Sequence, residues 1–256
     1  EESVGLSETL IVFAGSTSIE ARLENYNRVA SYRDALVRDL AALQALAGDA
    51  ETAALREAAT DLNELVESMN EVVERRLQIR DRRGSVTGEA RDARADLAAS
   101  VEGALDASDE ADIESLLRAL LAANQIMIQF NEVDTATSTG EVDTIFDRFD
   151  ENAGELDVNF AILGDVVTEV MQTQAETLIN FGEGNNGVFQ PRKDELAAVA
   201  AAEVVAEEAR LSAEALLSSV HIFKAEVADR VAASTSAADA AVITGRILLI
   251  AIAAIG

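Results

Sequence analysis

The sequence predicts an all-α fold, arranged as an elongated protein of two stacked four-helix bundles that share long helices. The first observation is composition: apolar residues, mainly Ala, Leu and Val, make up 49% of the chain, whereas aromatic residues make up 4%. The second is that a single proline is present. The third is that apolar residues recur with heptad spacing in two long segments, while hairpin turns and alternating runs are not visible.

Turn-forming residues divide the chain into predicted helices. Turns are expected at Gly48–Asp49, Gly84–Gly88, Ala107–Asp109, Asp134–Gly140 and Gly182–Pro191. The helices between them are predicted over residues 3–47, 51–82, 89–106, 110–133 and 141–181, and from Pro191 into the apolar C-terminal run. Pro191 suits the first turn of a helix, where a missing amide donor costs nothing, and Asp194 and Glu195 complement the helix dipole.

The fifth and sixth predicted helices each carry an apolar seam. In the fifth helix every seam position is apolar, at residues 142, 146, 149, 153, 156, 160, 163, 167 and 170. The same holds in the sixth helix at residues 199, 202, 206, 209, 213, 216, 220, 223 and 227. Steps averaging about 3.5 residues predict left-handed, coiled-coil-like packing with crossing angles near 20°.

Helix lengths indicate how the bundles are combined. At about 1.5 Å per residue, the first predicted helix would be about 68 Å long and the sixth about 75 Å up to the apolar run. The second, third and fourth helices are much shorter. Because long helices cannot pack along their full length against short ones in one bundle, two four-helix bundles stacked end to end are predicted, with the long helices passing through both.

The charge and composition exclude several classes of function. The formal net charge is −27, which repels nucleic acid phosphates. Acidity fits the outer side of a bacterial membrane, because positive charge is retained inside, although a salt-adapted soluble protein has a similar surface. The lack of cysteine excludes disulfides and thiolate zinc sites, and one histidine cannot supply a di-iron site. No metal and no cofactor are predicted.

The C-terminal run suggests a membrane-spanning helix. After Arg246 the chain continues Ile-Leu-Leu-Ile-Ala-Ile-Ala-Ala-Ile-Gly, without a polar side chain. A spanning helix needs about 20 apolar residues. Residues 241–256 are therefore interpreted as the start of a truncated span with Arg246 near the headgroups, and a short buried end is the alternative. Residues 1–240 then form an extracytoplasmic helical domain of two stacked modules.

Two segments resemble a known family. The first is Gly-Val-Phe-Gln-Pro-Arg-Lys-Asp-Glu-Leu at 187–196, which opens a long Ala- and Glu-rich helix, and the second is Thr244-Gly245-Arg246 before the aliphatic run. Together they are similar to the helical bimodular sensor region of transmembrane receptors. The pattern looks most like hybrid sensor histidine kinases of the trimethylamine-N-oxide sensor type, and some chemoreceptors carry the same module.

The resemblance implies a cellular location and a set of partners. It implies a homodimer anchored in the inner membrane, with the sensor region on the periplasmic side. Such a domain senses a small organic solute or a periplasmic binding protein and passes a helix shift across the membrane. No nucleic acid partner is expected.

Candidate binding residues lie in the run Glu74–Arg83, the only basic concentration in an acidic chain. Arg76, Arg80 and Arg83 recur at four and three residues, so they share one helix face and could clamp a carboxylate or an acidic patch of a partner. The alternative is a helix C-terminus whose arginines complement the dipole and pair with neighbouring acidic residues.

Two other patterns receive structural interpretations. Gly182–Gly187 fits the G-x-G-x-x-G spacing of dinucleotide sites, but it follows a heptad helix instead of a buried strand, so it is interpreted as a flexible turn. His221 neighbours the seam position Val220 and is interpreted as a residue on the flank of a bundle.

An enzyme is not expected from this fragment, although the full-length protein could be a histidine kinase. A cysteine nucleophile is lacking, phosphate-loop and zinc-protease motifs are not found, and 47 acidic residues make any carboxylate pair uninformative. We therefore interpret the chain as the sensor domain of a membrane-bound signalling receptor, with a histidine kinase favoured over a chemoreceptor. The alternative is a structural or adaptor helical-bundle protein without a sensing role.

Overall fold

A computed structural model describes the backbone of residues 2–106 and 108–255, and the side chains of these residues apart from 2–4, 47, 50, 240 and 243–255. Within these ranges the chain forms α-helices and no β-strand, which confirms the all-α prediction. Short 3-10 turns follow α4 and α5 at Val133–Thr135 and Gly164–Val166. The helices are α1 (Glu2–Ala14), α2 (Ile19–Ala47), α3 (Asp49–Leu105), α4 (Glu110–Glu132), α5 (Thr139–Leu163), α6 (Glu169–Asn180) and α7 (Phe189–Ile255).

The chain divides into two compact units. Unit 1 contains Glu1–Asn70 together with Glu203–Gly256, and unit 2 contains Glu71–Ala202. Because the boundaries fall inside α3 and α7, these two helices contribute residues to both units. Shared long helices were expected, although α3 was not predicted to be one of them. The end-to-end stacking of two four-helix bundles stays a prediction.

The predicted first helix over residues 3–47 is wrong, because the backbone leaves the helical conformation between α1 and α2. The amide of Gly15 still donates to the carbonyl of Ile11, with N and O 3.1 Å apart, and closes the last turn of α1. Ser18 then caps α2, since its hydroxyl accepts a hydrogen bond from the amide of Ala21 at 3.1 Å. Serine and threonine side chains in residues 16–18 compete with helical hydrogen bonds and favour a break.

The predicted turn at Gly84–Gly88 is also wrong, because α3 runs without interruption through both glycines. A glycine inside a helix costs only about 1 kcal/mol relative to alanine. On the same stretch of α3, Arg83, Thr87 and Ala90 are buried in unit 2. Packing on both sides of the glycines therefore offsets their low helix propensity.

The predicted fifth helix over residues 141–181 is divided into α5 and α6. Gly164 has a φ of 51°, in the left-handed region that favours glycine, and it ends α5. Thr168 starts α6, because its hydroxyl accepts a hydrogen bond from the amide of Met171 at 3.2 Å. The seam is buried or half-buried from Val142 to Val167, but Val170 beyond the break is 59% exposed.

Other predicted boundaries are confirmed. Gly48 ends α2 with a φ of 95°. Asp109 caps α4, because its carboxylate accepts hydrogen bonds from the amides of Ala111 and Asp112 at 3.1 and 3.0 Å. The α6–α7 connection coincides with the predicted turn, and α7 begins at Phe189, two residues before Pro191.

The core of unit 2 is built around phenylalanine rings from three helices. Phe130 of α4 and Phe149 of α5 stack with ring centroids 5.6 Å apart. Phe189 at the start of α7 lies 5.2 Å from Phe149 and 5.2 Å from Phe146. These contacts fix the start of α7 against α4 and α5, which positions the charged residues in its first turns.

The core of unit 1 is aliphatic on α2 and α3 and built from small residues on α7. Leu36 and Leu40 of α2 and Leu62 and Val66 of α3 are buried. The predicted seam of α7 is confirmed in its buried positions: Ala202 at the end of unit 2, and Ala206, Ala209, Ala213, Leu216, Val220 and Val227 in unit 1. The alanines leave little side-chain volume between α7 and its neighbours, so these helices pack at short distances.

The predicted truncated span at 241–256 lies, from residue 243 on, outside the residues whose side chains are described. In the described part of the chain, no helix combines the length and the apolar character that crossing a membrane requires.

Candidate functional site

The basic run Glu74–Arg83 lies in the middle of α3, in unit 2. Because α3 continues to Leu105, its arginines are not at a helix C-terminus. The part of the alternative interpretation that invokes the helix dipole is therefore wrong, whereas its pairing with acidic residues is seen at Arg83, which pairs with Asp134 and Glu195. Among the predicted site residues, Arg76 and Arg83 are buried, whereas Arg80 is exposed.

Arg83 belongs to a buried ion cluster that joins two helices and a turn. Its Nη2 donates to Oε2 of Glu195 in α7 at 2.9 Å, and its Nη1 pairs with Asp134 in the 3-10 turn after α4. The side chains of Arg83 and Glu195 are 6% and 8% exposed, whereas that of Asp134 is 52% exposed. Glu195 is thus the buried anion of the cluster.

Arg192 completes the cluster from the first turn of α7. Its Nη1 donates to the same Oε2 atom of Glu195 at 2.8 Å, and its Nη2 donates to the carbonyl oxygen of Ala136 at 2.7 Å. One carboxylate therefore holds two guanidinium groups from different helices. The geometry fixes α7 against α3 and against the connection between α4 and α5.

Burial dominates the electrostatics of the buried arginines. Desolvation lowers the pKa of Arg83 below its ordinary value, and the Arg192 and Arg80 cations act in the same direction, whereas Glu195 opposes them. Desolvation also lowers the pKa of Arg76, with Glu195 again raising it and Arg80 lowering it. Glu195 therefore stabilises the charged form of both buried arginines.

A groove of about 490 Å³ lies beside the basic run. Arg82 Nη2 donates to Oδ1 of Asn186 at 2.9 Å across it, and its other described lining residues are Ser85, Val86, Glu89, Thr177, Asn180 and Phe181. Asn186 belongs to the glycine-rich segment 182–187. That segment is a turn between two helices, as predicted, and Gly184 has a φ of 70° there.

The remaining polar candidates have ordinary surroundings. His221 is exposed beside the buried Val220, which agrees with its interpretation as a flanking residue, and Lys224 one turn later pairs with Asp39. Across the residues that the structure describes, no group of three or more His, Cys, Asp or Glu side chains could hold a metal ion.

The sequence analysis missed the anion of the cluster. Glu195 was interpreted only as a complement to the helix dipole. The signal was available, because residues 192 and 195 extend the seam of α7 upstream of 199 and 202 by steps of three and four. Charged residues at seam positions indicate buried charges, which require partners. The identity of those partners could not be read from the sequence.

Comparisons with known proteins give a fold relationship. No protein family model matches the sequence, and no curated protein matches it. The crystal structure of the sensor domain of the histidine kinase TorS from V. parahaemolyticus matches with a TM-score of 0.73 and 15% identity, covering 88% of this chain and 95% of that one. The structure of the TorS sensor domain in complex with TorT in the presence of TMAO matches with a TM-score of 0.65 and 14% identity, covering 87% and 94%.

The likeness extends over most of both chains, so the chain has the helical fold of the TorS sensor domain. At such low identity the match establishes the fold, and the chemistry of individual sites does not transfer with it.

Proposed function

We propose that this chain is the extracytoplasmic sensor domain of a membrane-bound signal-transduction receptor, with a histidine kinase favoured over a chemoreceptor as its output. The observation that carries the proposal is the fold likeness to a histidine kinase sensor domain over nearly the whole of both chains. The expected location is the inner membrane, with residues 1–240 on the periplasmic side. The net charge of −27 and the apolar run after Arg246 support this location.

We further propose that the stimulus is a small organic solute or a periplasmic binding protein, and that the receptor is a homodimer. The complex of the TorS sensor domain with TorT supports a protein partner. Of the three predicted site residues, Arg80 is the exposed one and is proposed to contact the ligand or partner. Arg76 and Arg83 are buried, so their proposed role is to support that face through their interactions with Glu195.

The proposed signal path is α7. This helix is continuous from Phe189 to Ile255 and contributes residues to both units, so a shift along its axis reaches the C-terminal run through one element. Ala206 and Ala209 are buried on its seam, where small side chains permit alternative packing at low cost. Replacing both with leucine is expected to overpack unit 1 and so to lower the free energy of unfolding by about 1–3 kcal/mol per site.

The first test uses the gene and a receptor reporter. Codons after Gly256 that complete an apolar span and encode a kinase or methyl-accepting region would support the receptor, whereas a stop codon would favour the structural or adaptor alternative. In the full-length receptor, A206L/A209L is expected to change basal output, while the exposed control A201L/A215L leaves it unchanged. A folded A206L/A209L variant with wild-type output would count against α7 as the transmitting element.

The second test concerns the basic face. A solute screen with the same reporter identifies a stimulus for the wild-type receptor. R80E is expected to abolish the response to it and to retain basal output, because charge reversal repels an anionic ligand or partner patch. R75E on the same helix is exposed on a different face and is expected to respond normally. Equal responses from both variants would remove Arg80 from the binding surface.

A further inference from the structure

A second groove, in unit 1, has the features of a ligand site. It lies between α2 and α3 and has a volume of about 520 Å³, within the range of small-molecule pockets, which is about 300–1,000 Å³. Its described lining residues are Arg33, Val37, Leu40, Ala41, Gln44, Arg56, Ala59, Thr60 and Asn63. A small enclosed cavity of about 30 Å³ shares Arg33, Val37, Ala59 and Asn63 with it and is otherwise lined by aliphatic side chains.

The charge of the groove is opposite to that of the chain. The chain carries 47 acidic residues, yet the described groove lining contains two arginines and no carboxylate. Arg56 is exposed and forms no ion pair within the described part of the chain. Its cation is therefore available to an anionic ligand, and its position at the groove would orient that ligand.

Arg33 is held at the groove by polar contacts that leave it accessible. Its Nη1 donates to Oδ1 of Asn63 at 3.1 Å, and its Nη2 lies 3.3 Å from Oδ1 of Asp34. The carboxylate of Glu67 lies 3.8 Å from Nη1. The side chains of Asp34 and Glu67 are 67% and 42% exposed, so these pairs are weak and screened. A carboxylate ligand can therefore compete for Arg33.

The rest of the lining is suited to an aliphatic group. Val37 is 55% exposed within the groove, next to the buried Leu40 and the small side chains Ala41 and Ala59. A hydrocarbon chain there would remove Val37 from water.

We propose that the α2–α3 groove binds an amphipathic organic anion, a carboxylate on a short aliphatic chain. The carboxylate pairs with Arg56 and Arg33, and the chain covers Val37 and Ala41. Binding is a property of this chain alone, whereas a role of the anion as a stimulus rests on the proposed receptor function.

Hexanoate is a suitable probe. Its binding is followed through the amide chemical shifts of the ¹⁵N-labelled chain. Saturable shifts are expected to concentrate at residues 37–44 and 56–63, with a Kd on the order of 0.1–1 mM. Acetate lacks the aliphatic part and hexan-1-ol lacks the charge, so each is expected to bind at least about tenfold more weakly. Equal affinity for hexanoate and hexan-1-ol would overturn the proposed arginine contact.

Variants separate the site from general binding to apolar surface. R56Q is expected to weaken hexanoate binding about tenfold, and A41L is expected to reduce it by filling the exposed groove without entering the core. The matched controls R75Q and A54L change exposed residues outside the described lining and should bind as the wild type does. Equal binding by all variants, or shifts located elsewhere, would overturn the proposal.

The receptor reporter then tests the binding proposal separately from the proposed receptor function. If the wild-type receptor responds to hexanoate and R56Q does not, binding of the anion in the α2–α3 groove changes the output of the receptor. Specific binding in the NMR titration without any reporter response would uphold the binding proposal and count against its role as a stimulus. A reporter response to hexanoate that R56Q and A41L leave unchanged would overturn the assignment of the groove while supporting the receptor.

Discussion

Replacing Glu195 with glutamine tests whether the buried ion cluster stabilises unit 2. The side chain is isosteric, so packing is preserved while the charge is lost. Glu195 is 8% exposed and its Oε2 atom accepts from both Arg83 and Arg192. In E195Q the buried guanidinium group of Arg83 and the half-buried one of Arg192 lose their shared anion.

The expected loss of stability follows from what remains of the cluster. Removing one partner of a buried ion pair costs about 3–5 kcal/mol, because the other charge stays buried. Two features favour the lower end of this range: the amide oxygen of glutamine can still accept a hydrogen bond, and Asp134 still pairs with Arg83 from a half-exposed position. We expect E195Q to lower the free energy of unfolding by about 3 kcal/mol.

Urea denaturation followed by circular dichroism at 222 nm measures this change. D194N is the matched control, because Asp194 is exposed one residue away and bonds only Gln190 among the described residues, at 2.9 Å. It is expected to stay within about 0.5 kcal/mol of the wild type. If two transitions are resolved, only the one belonging to unit 2 should move.

A double-mutant cycle that combines E195Q with R83M measures the interaction between the two side chains separately from the other effects of each substitution. If Arg83 and Glu195 stabilise each other, the double variant loses less than the sum of the single variants. Additive losses, or a loss below about 1 kcal/mol in E195Q, would refute the stabilising role of the cluster.

Three further changes test local features of the fold. G84A should stabilise the protein by about 0.5–1 kcal/mol in urea denaturation, because Gly84 is exposed inside α3 and an added Cβ meets open space. G182A should destabilise it by about 1–3 kcal/mol in the same assay, since its Cβ would overlap Cζ of the buried Phe149; an unchanged midpoint would contradict this packing. The Thr137 amide and hydroxyl hold the pKa of Glu141 below its ordinary value. Ionised Glu141 therefore stabilises the folded protein at any pH above its pKa in the unfolded chain, and this stabilisation is lost as the pH falls through its lower pKa in the folded protein. T137V removes the hydroxyl and should raise this pKa in a ¹³C NMR titration, whereas an unchanged pKa would exclude the hydroxyl contribution.

The continuity of α3 could have been predicted from the spacing of its core positions. The prediction of a turn gave more weight to the two glycines than to that spacing. Residues 62, 66, 69, 73, 76, 80, 83, 87, 90, 94, 97 and 101 follow alternating steps of four and three across Gly84 and Gly88. Most of these residues are buried. A turn would have disturbed this register, so an uninterrupted repeat is stronger evidence than two weak helix formers.

The helix break at Gly164 was harder to predict. The apolar seam of the fifth predicted helix continues in register through Val167 and Val170. Gly154 lies within α5 without interrupting it, whereas Gly164 adopts a positive φ and ends the same helix. Each glycine directly follows a seam position, Ala153 or Leu163, so its place in the repeat and its own helix propensity do not distinguish the two. Gly164 differs in being followed by α6, whose residues Met171, Ala175 and Leu178 are buried in the core of unit 2.

The sequence by itself determined the all-α class, the heptad seams and most of the helix ends, because helix propensity, apolar periodicity and capping side chains act over a few neighbouring residues. It also identified the basic run on α3. Only the tertiary structure decided that Arg83 pairs with Glu195, a residue 112 positions away in the chain. The tertiary structure likewise decided that Arg33 and Arg56 line one groove. The physical reason is that burial and charge pairing depend on which helices become neighbours, and the periodicity of a single helix carries no information about its partner.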